Sequence, residues 1–185
     1  MKRKFLFLLF LSLSMVFYSN TSYAKKKSPI KIRKKEIVSK KFSSAIKKSI
    51  PGSIPWGEIR IIFDSRIKYI DELTIKYYVL MRTKTNIDIL YKEITYLDVF
   101  PGKGYISSVF VHPSTMKKYG NKIEAVHCEF WIGGKIFAVT DFPKKAKIKW
   151  WDKKPPKKGY LFSKYFTPFA IDAEYSVLLE KIEEK

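Results

Sequence analysis

The sequence predicts a mainly β protein, an antiparallel β-sandwich with a C-terminal α-helix. Three observations carry that expectation. Between residues 56 and 142 apolar side chains recur with period two, the pattern of strands that bury one face. The turn signals "PGKG" (101–104) and "GG" (133–134) divide those runs. Only after Thr167 does the spacing change to a helical one, in "AIDAEYSVLLEKIEEK" (170–185).

The 185-residue chain opens "MKRKFLFLLFLSLSMVFYSNTSYA". A basic start, an apolar run over residues 5–17 and small residues before Ala24 are the three parts of a secretory signal peptide, residues 1–24. The run is too short for a helix that spans a bilayer, which takes roughly 20 residues. No later segment has the length and apolarity of such a helix, so no integral span is expected after cleavage. The expected location is periplasmic or secreted. Cleavage leaves 161 residues (185 less 24), enough for one domain with a sizeable core. With Cys128 as the single cysteine, no internal disulfide forms. The core must hold the fold, and a composition of 46% hydrophobic residues supplies it.

Residues 25–53 read as a basic flexible arm. "KKKSPIKIRKKEIVSKK" (25–41) sets nine cations against Glu36, and a run this dense repels itself. The sandwich is expected over residues 54–169. "EIRIIF" puts Ile59, Ile61 and Phe63 on one face. "ELTIKYYVLMR" puts Leu73, Ile75, Tyr77, Val79 and Met81 on one face and Thr74, Lys76 and Tyr78 on the other. "LYKEITYLDVF" and "YISSVFVH" flank Pro101–Gly104, as a hairpin or a connection that changes sheet. "PSTMKKYGNK" reads as one helical turn or a loop. Gly133–Gly134 joins two further strands. With a regular hairpin register, Val126, Cys128 and Phe130 share an apolar face with Phe137 and Val139, and His127 points the other way. From Thr167, a cap followed by Pro168, the reading is helical: Ile171, Tyr175, Leu178, Leu179 and Ile182 form a stripe over residues 170–185.

The formal net charge is +20, or +17 without Lys2, Arg3 and Lys4. Thirty-two of the cations are lysine and five arginine. Arginine's bidentate fork, favoured for specific phosphate and base contacts, is therefore scarce. Together with export this argues against nucleic acid as partner and leaves weak attraction to the anionic envelope surface.

Chemistry is sparse. His127 and Cys128 are neighbours on a strand and project to opposite faces, so they do not form a nucleophile–base pair; Cys128 reads as a core residue and His127 as a surface or second-interface histidine. Two histidines at no zinc spacing, no GxSxG elbow and no phosphate loop leave no catalytic, metal or cofactor residue to name. The aromatic, proline- and lysine-rich "KIKWWDKKPPKKGYLFSKYFTPF" offers candidate ligand or partner contacts at Trp150, Trp151 and Tyr160, together with Trp131.

"YYVLMR" (77–82), "VFVHPSTMKKYG" (109–120), "IEAVHCEFWIGGK" (123–135), "KWWDKKPPKKGYL" (149–161) and "TPF" (167–169) occur in that order. In these the chain resembles exported bacterial β-sandwich proteins with an immunoglobulin-like core that are associated with type IV pilus gene clusters. The resemblance covers residues 56–169 and excludes the basic arm. It implies a non-enzymatic envelope protein, an interaction or accessory module linked to pilus assembly, with envelope or pilus-assembly proteins as partners and no cofactor. The alternative is a glycan- or peptide-binding module that uses its aromatics, and the third reading is a cryptic secreted hydrolase.

Overall fold

Each strand's alternation gives it one apolar face, and two sheets bring those faces together. The computed structural model of the chain describes residues 28–40, 55–66, 69–83, 86–119, 122–143, 146, 148–170 and 178–181. In sequence order these contain β1 (Ile30–Lys40), β2 (Trp56–Ser65), β3 (Ile70–Arg82), β4 (Ile87–Val99), β5 (Gly102–Val111), α1 (Pro113–Lys118), β6 (Ile123–Ile132), β7 (Lys135–Phe142), β8 (Leu161–Ser163) and β9 (Leu179–Glu180). One sheet has the order β1-β2-β5-β8, the other β7-β6-β3-β4-β9. All paired strands are antiparallel.

The core lies between the sheets. Ile59, Ile61 and Phe63 of β2 and Val109 and Val111 of β5 meet Leu73, Ile75, Tyr77, Val79 and Met81 of β3 and Val126, Cys128 and Phe130 of β6, all fully buried. Phe63 and Phe130 join the sheets ring edge to ring face at 5.4 Å. The only polar link at the centre of this core among the described residues is Ser107 on β5. Its hydroxyl lies 2.6 Å from the Tyr77 hydroxyl and 2.7 Å from that of Tyr96 on β4. The chain changes sheet at Pro101–Gly104, between β4 and β5, whereas Gly133 and Gly134, with φ of 54° and 74°, close the β6–β7 hairpin in the left-handed region such turns need. The helical turn at residues 113–118 forms: His112 Nδ1 caps it by accepting from the Ser114 amide at 3.1 Å, and Pro113 occupies the first turn.

Three expectations are corrected. First, part of the basic arm is a strand. β1 pairs with β2 over ten residue pairs, and strand geometry sends neighbouring cations to opposite faces. Arg33 then reaches Asp64 at 2.5 Å, Lys34 reaches Glu36 at 2.8 Å, and Lys35 reaches Thr140 at 3.0 Å and the Asp141 carbonyl at 2.6 Å. Three of the like charges that argued for an unfolded arm, those of Arg33, Lys34 and Lys35, are thus separated and paired on β1. Second, the described part of the expected C-terminal helix is extended. Leu178 is buried and Leu179 is 55% exposed, so the two diverge as strand neighbours do. β9 pairs Glu180 with Tyr96 and Leu179 with Leu97, and the Lys181 amide donates to the Thr95 carbonyl at 2.8 Å. The open edge of β4 supplies partners that a helix would not use. Thr167 does cap a turn, accepting from the Phe169 amide at 3.2 Å. Ile171, Tyr175 and Ile182, like the expected signal peptide at 1–24, lie outside the described residues. Third, the β6–β7 register carries a bulge between Phe130 and Trp131, at which Phe137 is the extra residue. Beyond it Ala138, Thr140 and Phe142 turn inward, while Phe137 and Val139 are 41% and 55% exposed.

Candidate functional site

The same bulge creates the most elaborate polar constellation on the described surface. Without it His127 would stand opposite Thr140. With it, His127 stands opposite Asp141. Pairing across β7, β6, β3 and β4 then sets Asp141, His127, Tyr78 and Tyr91 in one row on the outer face of the five-stranded sheet. The next row holds Val139, Glu129, Lys76 and Glu93, and the one after it Ile136, Trp131, Thr74 and Thr95.

A strap covers the first row. After β7 the chain forms a 3-10 turn at Trp150–Asp152, crosses the sheet and reaches the edge of β4, where Lys157 bridges Leu90 in parallel. Trp151 lies flat on the His127 imidazole, with centroids 3.5 Å apart and planes 5° apart. Trp150 packs edge-on against Trp151 at 5.5 Å. His127 is therefore 3% exposed. The expectation of a surface or second-interface histidine is wrong because Trp151 of the strap, 24 residues on in the sequence, closes over it.

Both ring nitrogens of His127 are engaged. Nδ1 lies 2.7 Å from Asp141 Oδ1 and Nε2 lies 3.3 Å from Glu129 Oε1. Glu129 also accepts from the Trp131 indole N–H at 2.9 Å, and Lys76 sits over the Trp131 ring at 4.2 Å. Tyr78 stacks obliquely on Tyr91 at 5.1 Å, and the Tyr91 hydroxyl donates to Glu93 at 2.6 Å. Burial first, then the carboxylates of Glu129, Asp152 and Glu93, pushes the Tyr78 phenol up to about 12. Burial and the bond to Glu93 push Tyr91 higher still. Both phenols are protonated donors at neutral pH.

A general base needs a nitrogen that a substrate proton can reach, and His127 offers neither nitrogen nor ring face. Its two carboxylates lie on opposite sides of the ring, and among the described residues no three His, Cys, Asp or Glu side chains converge on a metal position. Cys128 points into the core, fully buried, and burial pushes its thiol well above the ordinary range, so the thiolate that reacts is suppressed.

The sequence-derived contact residues separate into two places. Trp131, Trp150 and Trp151 share the outer face of the five-stranded sheet, all half-buried. Beside Trp131 is a groove of about 510 Å³ floored by Thr74, Lys76 and Glu93 and rimmed by Gly133 and Gly134. Tyr160 stands elsewhere. It packs on Tyr119 at 5.8 Å and lines a cleft of about 740 Å³ with Trp56, His112, Phe162, Tyr165 and Phe166. Phe166 is 60% and Tyr165 47% exposed there. Sequence reasoning missed the Asp141–His127–Tyr78–Tyr91 row. The bulge that aligns it has no residue signature, and the adjacent tryptophans, read as candidate ligand or partner contacts, supply its cover instead.

A protein-family model matches residues 24–174, most of the chain. No curated protein matches it. Among solved structures, a crystal structure from Akkermansia muciniphila is similar, with a TM-score of 0.69 and 22% identity; the match covers 84% of this chain and 93% of that one. That likeness is one of fold. No helix among the described residues is long and apolar enough to cross a membrane.

Proposed function

The chain belongs to the family whose model spans residues 24–174, and on that footing we propose that it is a non-enzymatic exported envelope protein. It serves as an interaction or accessory module, in the type IV pilus setting of the immunoglobulin-like proteins its motifs resemble. The observation that carries the non-enzymatic reading is the Trp151–His127 stack at 3.5 Å. The one histidine–carboxylate constellation of the described residues is sealed under an indole and used to fasten the strap to the sheet.

The test has two arms. N-terminal sequencing of protein from an envelope fraction should start at Lys25. Deletion of the gene in the producing bacterium should reduce piliation, and in-cell cross-linking should join the protein to a pilus-assembly component. Unchanged piliation together with a Met1 start in the cytoplasm would refute the reading.

A second reading, peptide binding, is favoured at the cleft beside Tyr160, because Tyr165 and Phe166 stay exposed there. The Trp131 groove supports glycan stacking less well, since Lys76 already occupies a face of that indole.

A further inference from the structure

Lysine is spread over the whole chain, yet at one end of the sandwich it converges. α1 ends on Lys117 and Lys118, and the strap carries Lys153, Lys154, Lys157 and Lys158 in "DKKPPKKG"; all six are exposed. Pro155 and Pro156 fix φ between the two lysine pairs and keep that segment extended. The backbone there is pinned. Lys157 N donates to the Ile89 carbonyl at 2.7 Å, and Tyr91 N donates to the Lys157 carbonyl at 2.9 Å.

Aromatic rings gather the ammonium groups. Lys118 Nζ lies 5.4 Å from the Tyr119 ring and 5.5 Å from the Tyr160 ring. Lys157 Nζ lies 5.4 Å from the same Tyr119 ring, so helix and strap share one tyrosine. Lys158 reaches over Tyr91 at 5.9 Å. Two of the cations are committed to the fold: Lys154 donates to the Ile87 carbonyl at 3.1 Å and Lys157 to Asp88 at 2.6 Å. Asp88 is thereby neutralised. On β1, where the sequence concentrates charge most, Arg33, Lys34 and Lys35 are instead held by Asp64, Glu36 and Thr140.

We propose that the α1–strap end, through Lys117, Lys118, Lys153 and Lys158 around the pinned Lys154 and Lys157, binds phosphate groups. Lysine is a point charge on a flexible stem, suited to several phosphates at variable spacing rather than to one bidentate contact. Phosphates on a lipid surface or free in solution meet the same chemistry. The inference goes beyond the envelope reading and survives its failure, because it concerns the geometry of charge alone.

The test uses protein that begins at Lys25, which retains every described residue. One arm measures co-sedimentation at low salt with vesicles of equimolar phosphatidylglycerol and phosphatidylcholine, against phosphatidylcholine alone. The other measures calorimetric binding of inorganic tripolyphosphate. Two variants each lose four charges: K117Q/K118Q/K153Q/K158Q at the patch, and K31Q/K34Q/K103Q/K135Q elsewhere. Each lysine near an anionic surface is worth roughly a fivefold gain in affinity, so the patch variant should lose at least about tenfold and the other variant no more than about threefold. Binding should weaken with added salt. Binding to vesicles alone identifies headgroup phosphate, and binding of tripolyphosphate as well identifies phosphate from either source; both support the patch. Equal losses in the two variants, or no binding to either probe, overturn it.

Discussion

Ser107 to alanine should destabilise the protein far more than the size of the change implies. Its hydroxyl serves both Tyr77 and Tyr96, at 2.6 Å and 2.7 Å. Burial pushes both phenols far up, so each needs a neutral partner within the core. Alanine removes that partner and leaves two buried hydroxyls. An unsatisfied buried hydroxyl costs roughly 1–3 kcal/mol, giving about 2–6 kcal/mol for the pair. At roughly 2–4 °C per kcal/mol for a domain of this size, the melting temperature should fall by about 5–20 °C. The discriminating experiment is a mutant cycle with Tyr77→Phe and Tyr96→Phe, read by urea unfolding. Removing all three hydroxyls leaves no orphan, so S107A/Y77F/Y96F should recover to within about 1 kcal/mol of the parent. A triple variant no more stable than S107A would sink the argument and place the cost in lost volume or packing instead.

Cys128→Ser should lose roughly 1–3 kcal/mol for a buried hydroxyl without a partner, and a thiol reagent should label the native protein only on unfolding; fast native labelling would contradict the burial. Arg60→Met should cost about 3–5 kcal/mol in chemical denaturation, because it strips the bidentate guanidinium (3.0 and 3.1 Å) from Glu58, which is fully buried. Trp151→Ala should expose His127 and Asp141 and accelerate amide exchange in β6 and β7; unchanged exchange there would show that the strap does not cover the row. Acid should act oppositely at two edges. The Arg33 hydrogen bond, despite opposing desolvation, holds Asp64 below its ordinary 3.8, so its hold on β1 is present above that value and lost as pH falls through the lowered one. Burial raises Glu180 above its ordinary 4.5, so stability from β9 is full below that value and lost as pH rises through the raised one. Exchange corrected for intrinsic rates should therefore quicken over residues 30–40 and slow over 178–181 on acidification, and changes of one sign at both would refute the assignment.

What could be read from the sequence was whatever depends on one strand at a time. The inward sets of β2, β3 and β6 follow from alternation alone, because period two leaves only two choices and one of them is apolar. Cys128 went to the core by that rule, and it is fully buried there. The failures all involve a second element. Nine cations within residues 25–41 look like an unfolded arm until β2 presents a backbone edge to β1 and Asp64 a carboxylate to Arg33. Leu178 and Leu179 fit a helix as well as a strand, and the open edge of β4 at Tyr96 and Leu97 decides between them.

The His127 row is the sharpest case, since it needs two distant events at once. The bulge at Phe137 shifts β7 by one residue and exchanges Thr140 for Asp141 opposite the imidazole. A chain segment that returns at Trp151 then shuts out water. Neither event makes sense alone. An uncovered His127–Asp141 pair would be an ordinary surface contact of small worth, and an indole laid on a threonine would have no flat partner. The pairing gains its value only when desolvated, which ties the register of the β6–β7 hairpin to the docking of the strap. The strap in turn sets Lys157 against β4 and so places the lysines of the α1–strap end. A single inserted residue in one hairpin is thus coupled, through Trp151, to where this basic protein presents its charge.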